Sequence, residues 1–399
     1  MEFDFTTLYD RRGKDSLAVD IAEKEPEFRP KEGFDLIPMW VADMNFATAP
    51  AVNEAIRRRI EHPLYGYFLT DEDYYRSIIR WHRTRSGVTG LAKEHIGYEN
   101  GVLGGVLSAL GAVCARGDKV LVHSPTYIGF TSAVENAGYR IVTSPLKPDE
   151  QGTWRMDFPD MEKKIKENDI RAVIFCSPHN PTGRVWEREE LQRFADMARR
   201  LDVTVISDEI WSDLTLFENR HIPLQSISED AKFRTIALYA PSKTFNLAGL
   251  VGSYHVIYNE ALRRRVEKEA GLSHYNSMNV LSMHALMGAY SDEGAQWLDE
   301  LRSVLSENVA YACDFIRDRF KGVKVQRPEG TYMLFLDCEE YCRTHGCSLD
   351  DVEQAGYAVG VLWQDGRPFH GPYHIRMNLA LPMERLKTAM ERLEKYVFV

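Results

Sequence analysis

The 399-residue sequence lacks long apolar runs, long basic runs and a dense cysteine framework, and each absence narrows what the chain can be. Its longest weakly polar stretch, Val102 to Ala115, is about 14 residues and rich in glycine, short of the roughly 20 that a membrane-spanning helix needs. The start, MEFDFTTLYD, is acidic and has no charged-then-apolar leader pattern. No lysine or arginine run exceeds three residues, and the formal net charge of −10 argues against a nucleic-acid partner. Six cysteines without framework spacing fit a reducing compartment, so the expected setting is cytoplasmic, with no membrane partner. Cys338, Cys342, His345 and Cys347 lie close together, but their spacing fits neither a zinc finger nor a knuckle. They read as unrelated residues, and no metal site is expected.

What the sequence does have is a rhythm. Runs rich in β-branched and apolar residues at 119–123, 171–176, 203–207 and 235–239 alternate with helical patterns at 127–137, 157–167 and 187–201. Such alternation implies βαβ units, a mostly parallel sheet and helices on both faces. After residue 256, helical stretches at 260–270, 279–290 and 294–320 lead into short strands at 323–326, 332–336 and 374–379, then a last helix at 382–396. The predicted fold class is α/β, a mostly parallel central sheet flanked by helices, with a smaller α+β domain. Residues 48–290 are assigned to the large domain, and 1–47 with 291–399 to the small one.

Ligands of such sheets sit beyond the carboxyl ends of the strands. There the sequence delivers, in order, Gly101-Val102-Leu103 opening a helix, Tyr127, Asn180, Asp208 and Ser242-Lys243. A glycine turn into a helix leaves amides free for a phosphate. Lys243 follows a buried-strand pattern, where an amine must be paired, solvated or depressed in pKa. Singly, Asn180-Pro-Thr-Gly183 reads as a turn and helix cap and Asp208 as an N-cap. Their joint placement at consecutive strand ends is what points to one site.

SPHNPTGRVW, SDEI, APSKTFNLAG and RMNLA, together with PMWVADM at 38–44, resemble the fold-type I pyridoxal-phosphate enzymes. Within these, the chain resembles the MalY/PatB-type carbon–sulfur β-lyases, along nearly its whole length. The resemblance implies pyridoxal 5'-phosphate as cofactor, held covalently by Lys243, which then serves as base. It implies that Asp208 pairs with the ring nitrogen, Asn180 bonds the phenolic oxygen and Tyr127 stacks on the ring. The amides of Gly101, Val102 and Leu103 and the Ser242 hydroxyl would hold the phosphate. Arg376 would bind the substrate carboxylate, and Tyr67 would reach the phosphate of a neighbouring subunit in a homodimer.

Three departures stand out. Val251 occupies the place of a phosphate-neutralising arginine found in many transaminases. Trp211 occupies the cofactor-contacting place usual for tyrosine or histidine, and its indole can donate but neither accept nor titrate. Asn45 replaces an acid, and His370 is a further candidate for the pocket wall. The expected activity is α,β-elimination from an L-cysteine S-conjugate such as cystathionine, giving pyruvate, ammonia and a thiol. The alternative is an aminotransferase acting on an L-amino acid.

Overall fold

The computed structural model describes residues 2–272 and 276–399. Eight strands build the central sheet: β1 (Ile96–Glu99), β2 (Lys119–Ser124), β3 (Arg140–Pro148), β4 (Trp154–Met156), β5 (Ala172–Cys176), β6 (Thr204–Asp208), β7 (Thr235–Tyr239) and β8 (Ser253–Val256). Their spatial order is β1-β8-β7-β6-β5-β2-β3-β4. The run from β7 to β3 is parallel, whereas β8 opposes both its neighbours and β4 opposes β3.

Every residue of β5 and β7 is buried, which is why these strands read as unbroken apolar runs rather than as alternating ones. Helices cover both faces. Val102–Val113 and Glu260–Leu272 bring Val106, Leu110, Leu262 and Val266 to one face. Phe158–Glu167 and Arg188–Arg200 bring Met161, Ile165, Leu191 and Phe194 to the other. Full burial of a side chain such as Leu191 stabilises by about 1.5–3 kcal/mol. The helix Arg188–Arg200 also has acids in its first turn and arginines in its last, matching its dipole.

The alternating pattern located the sheet's interior but not its far edge, where β3 and β4 form an antiparallel hairpin. Pro145, Lys147 and Pro148 break the apolar run of β3, a composition tolerated at the partly exposed margin of a sheet.

A second sheet holds β9 (Lys324–Val325), β10 (Met333–Asp337), β11 (Gln364–Asp365) and β12 (His374–Asn378) in the order β9-β10-β12-β11, all antiparallel. The register pairs Arg376 with Phe335 on one side and Gln364 on the other. The amino-terminal segment joins this region, because Ile37–Pro38 pairs in parallel with Val361–Leu362. The two sheets meet where Gly183 packs against the 328–330 loop: a Cβ there would lie 2.3 Å from Pro328. No described helix is long and apolar enough to cross a membrane.

Candidate active site

The carboxyl ends of β1, β5, β6 and β7 and the turn after β2 converge on a cavity of about 230 Å³. Gly101, Val102, Leu103, Tyr127, Asn180, Asp208, Trp211, Ser242 and Lys243 all line it. Arg376 stands next to it, joined through a hydrogen bond from Nη1 to Asn180 Oδ1 (3.3 Å). Tyr67 does not line it; its side chain is fully exposed on the surface.

Lys243 Nζ donates to the Ala42 carbonyl (3.0 Å) and lies 5.9 Å from the Trp211 ring centre. Burial lowers its pKa to about 8, and the Arg376 charge acts in the same direction, against Asp43 and Asp208. At a pKa of about 8 roughly a tenth of this amine is neutral, and so nucleophilic, at about pH 7. Asp208 is raised to about 7, chiefly by burial, although its Oδ1 accepts from the Ile210 N–H (3.0 Å). A buried carboxyl on which the nearby Lys243 charge acts only weakly against burial is an acceptor suited to a cationic or N–H group.

That shift has a consequence for stability. The folded pKa of Asp208 lies above its ordinary value of 3.8, so the contribution is present at low pH and lost as pH rises through about 7. Cofactor-free Asp208→Asn is expected to be more stable than the parent at about pH 8, by up to a few kcal/mol, the gap narrowing toward about pH 4. Thermal unfolding of both proteins across that range checks it.

Arg376 is buried against the Phe369 ring, 4.5 Å from its centre. Its Nη2 donates to the Trp40 carbonyl (3.0 Å) and to Gln364 Oε1, while its Nε has no partner. Burial lowers its pKa to about 10, which leaves it a cation at neutral pH. An orphaned guanidinium N–H beside the cavity is a vacant binding valence for a carboxylate.

One wall of the site is a strap, residues 40–44, whose backbone is held by side chains from elsewhere. The Trp40 carbonyl accepts from Arg376, Val41 from Asn378 Nδ2 (2.6 Å), and Ala42 from Lys243 and from the Tyr332 hydroxyl (3.1 Å). Asp43 accepts from Asn378 (2.5 Å), and Met44 from Asn246 Nδ2 (3.0 Å). The asparagines of the two quoted motifs KTFNLAG and RMNLA thus act as clamps.

Another part of the cavity lining offers donors. Gly101 has φ +78°, which favours glycine, and starts the helix Val102–Val113 without a side-chain cap. Its own N–H turns back to the Glu99 carbonyl (3.0 Å). Val102 and Leu103, whose amides lie in the first turn with no acceptor behind them in the helix, line the cavity together with Ser242. A helix start with free amides and a hydroxyl suits a phosphate. Val251, also in the lining, adds no charge.

Tyr127 is constrained from below. A Cβ on Gly129 would lie 2.3 Å from its ring. Gly129→Ala is expected to keep the helix, since alanine is the better helix former by about 1 kcal/mol, while displacing Tyr127 and weakening cofactor binding roughly tenfold. Circular dichroism and cofactor titration separate the two effects.

His370 is exposed at the end of the short turn Arg367–Phe369, and it is the preceding Phe369 that faces the site. Ala42, Cys176, Tyr332 and Gln364 belong to or border the site without having been singled out by residue type. Among the described residues, no group of three or more His, Cys, Asp or Glu side chains is placed to hold a metal.

Fold and site together define the class: the chain belongs to the aminotransferase class I and II family, whose model matches residues 35–393. Within it, the chain is 32% identical to cystathionine beta-lyase PatB of Bacillus subtilis, over 90% of this chain and 92% of that one. It is 30% identical to protein MalY of Escherichia coli, over 96% of each. A carbon–sulfur lyase of Staphylococcus hominis, solved with pyridoxal phosphate bound, superposes with a TM-score of 0.89 at 30% identity, covering 100% of this chain and 99% of that one.

Proposed function

We propose that the protein is a pyridoxal 5'-phosphate-dependent carbon–sulfur β-lyase that converts an L-cysteine S-conjugate such as cystathionine to pyruvate, ammonia and a thiol. The observation that carries the reading is the polarity of one cavity. The first amides of a helix, a hydroxyl, a buried carboxyl and a pKa-lowered amine line one cavity together. These donors and acceptors fit a phosphate, a protonated ring nitrogen and an aldehyde carried on one flat molecule. Relatives named as cystathionine β-lyase and carbon–sulfur lyase support the choice of reaction.

When bound, the cofactor supplies an electron-withdrawing ring that makes the substrate's Cα–H acidic. Each residue then has a task. Val102, Leu103 and Ser242, at the turn made by Gly101, would hold the phosphate, Tyr127 would pack on the ring, and Asn180 and Trp211 would contact it as well. Asp208 keeps the ring nitrogen protonated. Arg376 binds the substrate carboxylate with two parallel N–H bonds, one from the orphaned Nε, and so fixes which Cα bond faces Lys243. Lys243, once released, takes the Cα proton, general-base help of about two to four orders of magnitude. The large domain, 48–290, would supply the cofactor contacts, and the small one, 1–47 with 291–399, would supply Arg376.

We further assign the protein to the cytoplasm as a homodimer, with Tyr67 reaching the phosphate of the partner's site. Leu64, Tyr65, Tyr67 and Leu69 form an exposed apolar segment that a partner would cover. Mixing Lys243→Ala with Tyr67→Ala subunits should restore activity, because one hybrid site carries neither change. Mixtures as inactive as the separate variants would dismiss the shared site.

The direct test is pyruvate release from L-cystathionine by cofactor-loaded protein with no keto acid added. Turnover lost in Lys243→Ala supports the lyase. The family also contains aminotransferases, and absence of pyruvate with conversion of the cofactor to its amine form would support that activity instead.

A further inference from the structure

Two donors share the Ala42 carbonyl: Lys243 Nζ at 3.0 Å and the Tyr332 hydroxyl at 3.1 Å. Tyr332 is fully buried, and its ring packs edge-on against Trp211, with centres 4.9 Å apart. Packing alone would be served by phenylalanine. A buried hydroxyl is costly unless bonded, and here the bond goes to the acceptor used by the amine.

Ala42 lies in the strap, outside any strand or helix, so nothing regular fixes the direction of its carbonyl. Asn378 ties the carbonyls on either side, of Val41 and Asp43, and Tyr332 ties the one between. We propose that Tyr332 is a positioning residue: its hydroxyl fixes the Ala42 carbonyl, and that carbonyl seats the Lys243 amine whenever the amine is free to act as base. The proposal rests on the reading of Lys243 as the proton-transferring group, but not on which reaction follows.

A seated amine commits one N–H to the carbonyl, which confines its lone pair to the two remaining tetrahedral positions. An unseated lysine has four rotatable bonds with which to lose that aim, and misplacement by about an ångström is enough to slow a proton transfer severely. The charged or titratable groups around the amine are Arg376, Asp43, which is bridged to Arg11 at 2.5 Å, and Asp208, with the Trp211 ring beside it. Removing the Tyr332 hydroxyl leaves all of these groups in place, although Arg376 and Asp43 lie within its electrostatic reach. The hydroxyl directs its positive end at the carbonyl, so its loss leaves a stronger acceptor and favours the ammonium.

The test is Tyr332→Phe, assayed by exchange of the Cα proton of L-alanine with deuterium from solvent, which needs proton transfer and no leaving group. The expected result is exchange slowed about tenfold with KM for alanine unchanged. In cofactor-free protein, the pH dependence of pyridoxal 5'-phosphate attachment, read by absorbance, is expected to move up by about one unit from the Lys243 value. Tyr332→Leu, which removes the ring as well, should match Tyr332→Phe in exchange. Unchanged exchange in Tyr332→Phe, or a defect confined to Tyr332→Leu, would overturn the proposal. Parent protein that exchanges the proton but releases no pyruvate from cystathionine would sink the lyase reading and leave the role of Tyr332 standing.

Discussion

Lys243→Ala is expected to abolish pyruvate formation, with a loss of at least three orders of magnitude, because one side chain supplies two functions. In the function proposed above, the amine is the covalent attachment point for the aldehyde and afterwards the base at Cα. Alanine also leaves the Ala42 carbonyl without its donor from position 243, although Tyr332 still bonds it, so the fold should survive. The measurement pairs pyruvate release with the visible absorbance of the cofactor. A variant that retains both the covalent absorbance band and turnover would remove Lys243 from the mechanism.

Arg376→Lys is expected to lower kcat/KM by about two to three orders of magnitude, the range for breaking a buried, hydrogen-bonded charge pair of roughly 3–4 kcal/mol. The charge is kept, but the fork is lost. An ammonium cannot present two parallel N–H groups to a carboxylate while also serving Trp40, Asn180 and Gln364. Most of the loss should appear as raised KM, with cofactor absorbance unchanged, since Arg376 does not line the cofactor cavity. An equal fall in cofactor binding would mean that Arg376 acts mainly by holding Asn180.

The strand-end residues were legible because their types are chemically loud. An amine, a carboxylate, an amide and a phenol at successive strand ends have few joint explanations. The interior strands were legible for a different reason, since β5 and β7 are buried on both faces and leave unbroken apolar runs. The hairpin of β3 and β4 was not, because proline and lysine at an edge look like a loop. Tyr332 reads in the sequence only as the start of the strand 332–336, because nothing in one sequence says that its hydroxyl meets a main-chain carbonyl some 290 residues away. The strap was hidden for the same reason: PMWVADM was visible as a motif, but what the site uses from residues 40–44 is peptide oxygen.

That choice of acceptor sets how the segment tolerates change. Recognition through carbonyls is blind to side chains, so single replacements at Val41 or Ala42 alter none of the five clamped oxygens directly. Length is another matter. Removing or adding one residue slides every following carbonyl by about 3.3 Å, more than a hydrogen bond's whole span, and would misalign the holds of Arg376, Asn378, Lys243, Tyr332 and Asn246 at once. Residues 40–44 are therefore a ruler: apart from Asp43, whose carboxylate bridges Arg11, and Ala42, which lines the cavity, the site reads their count rather than their spelling.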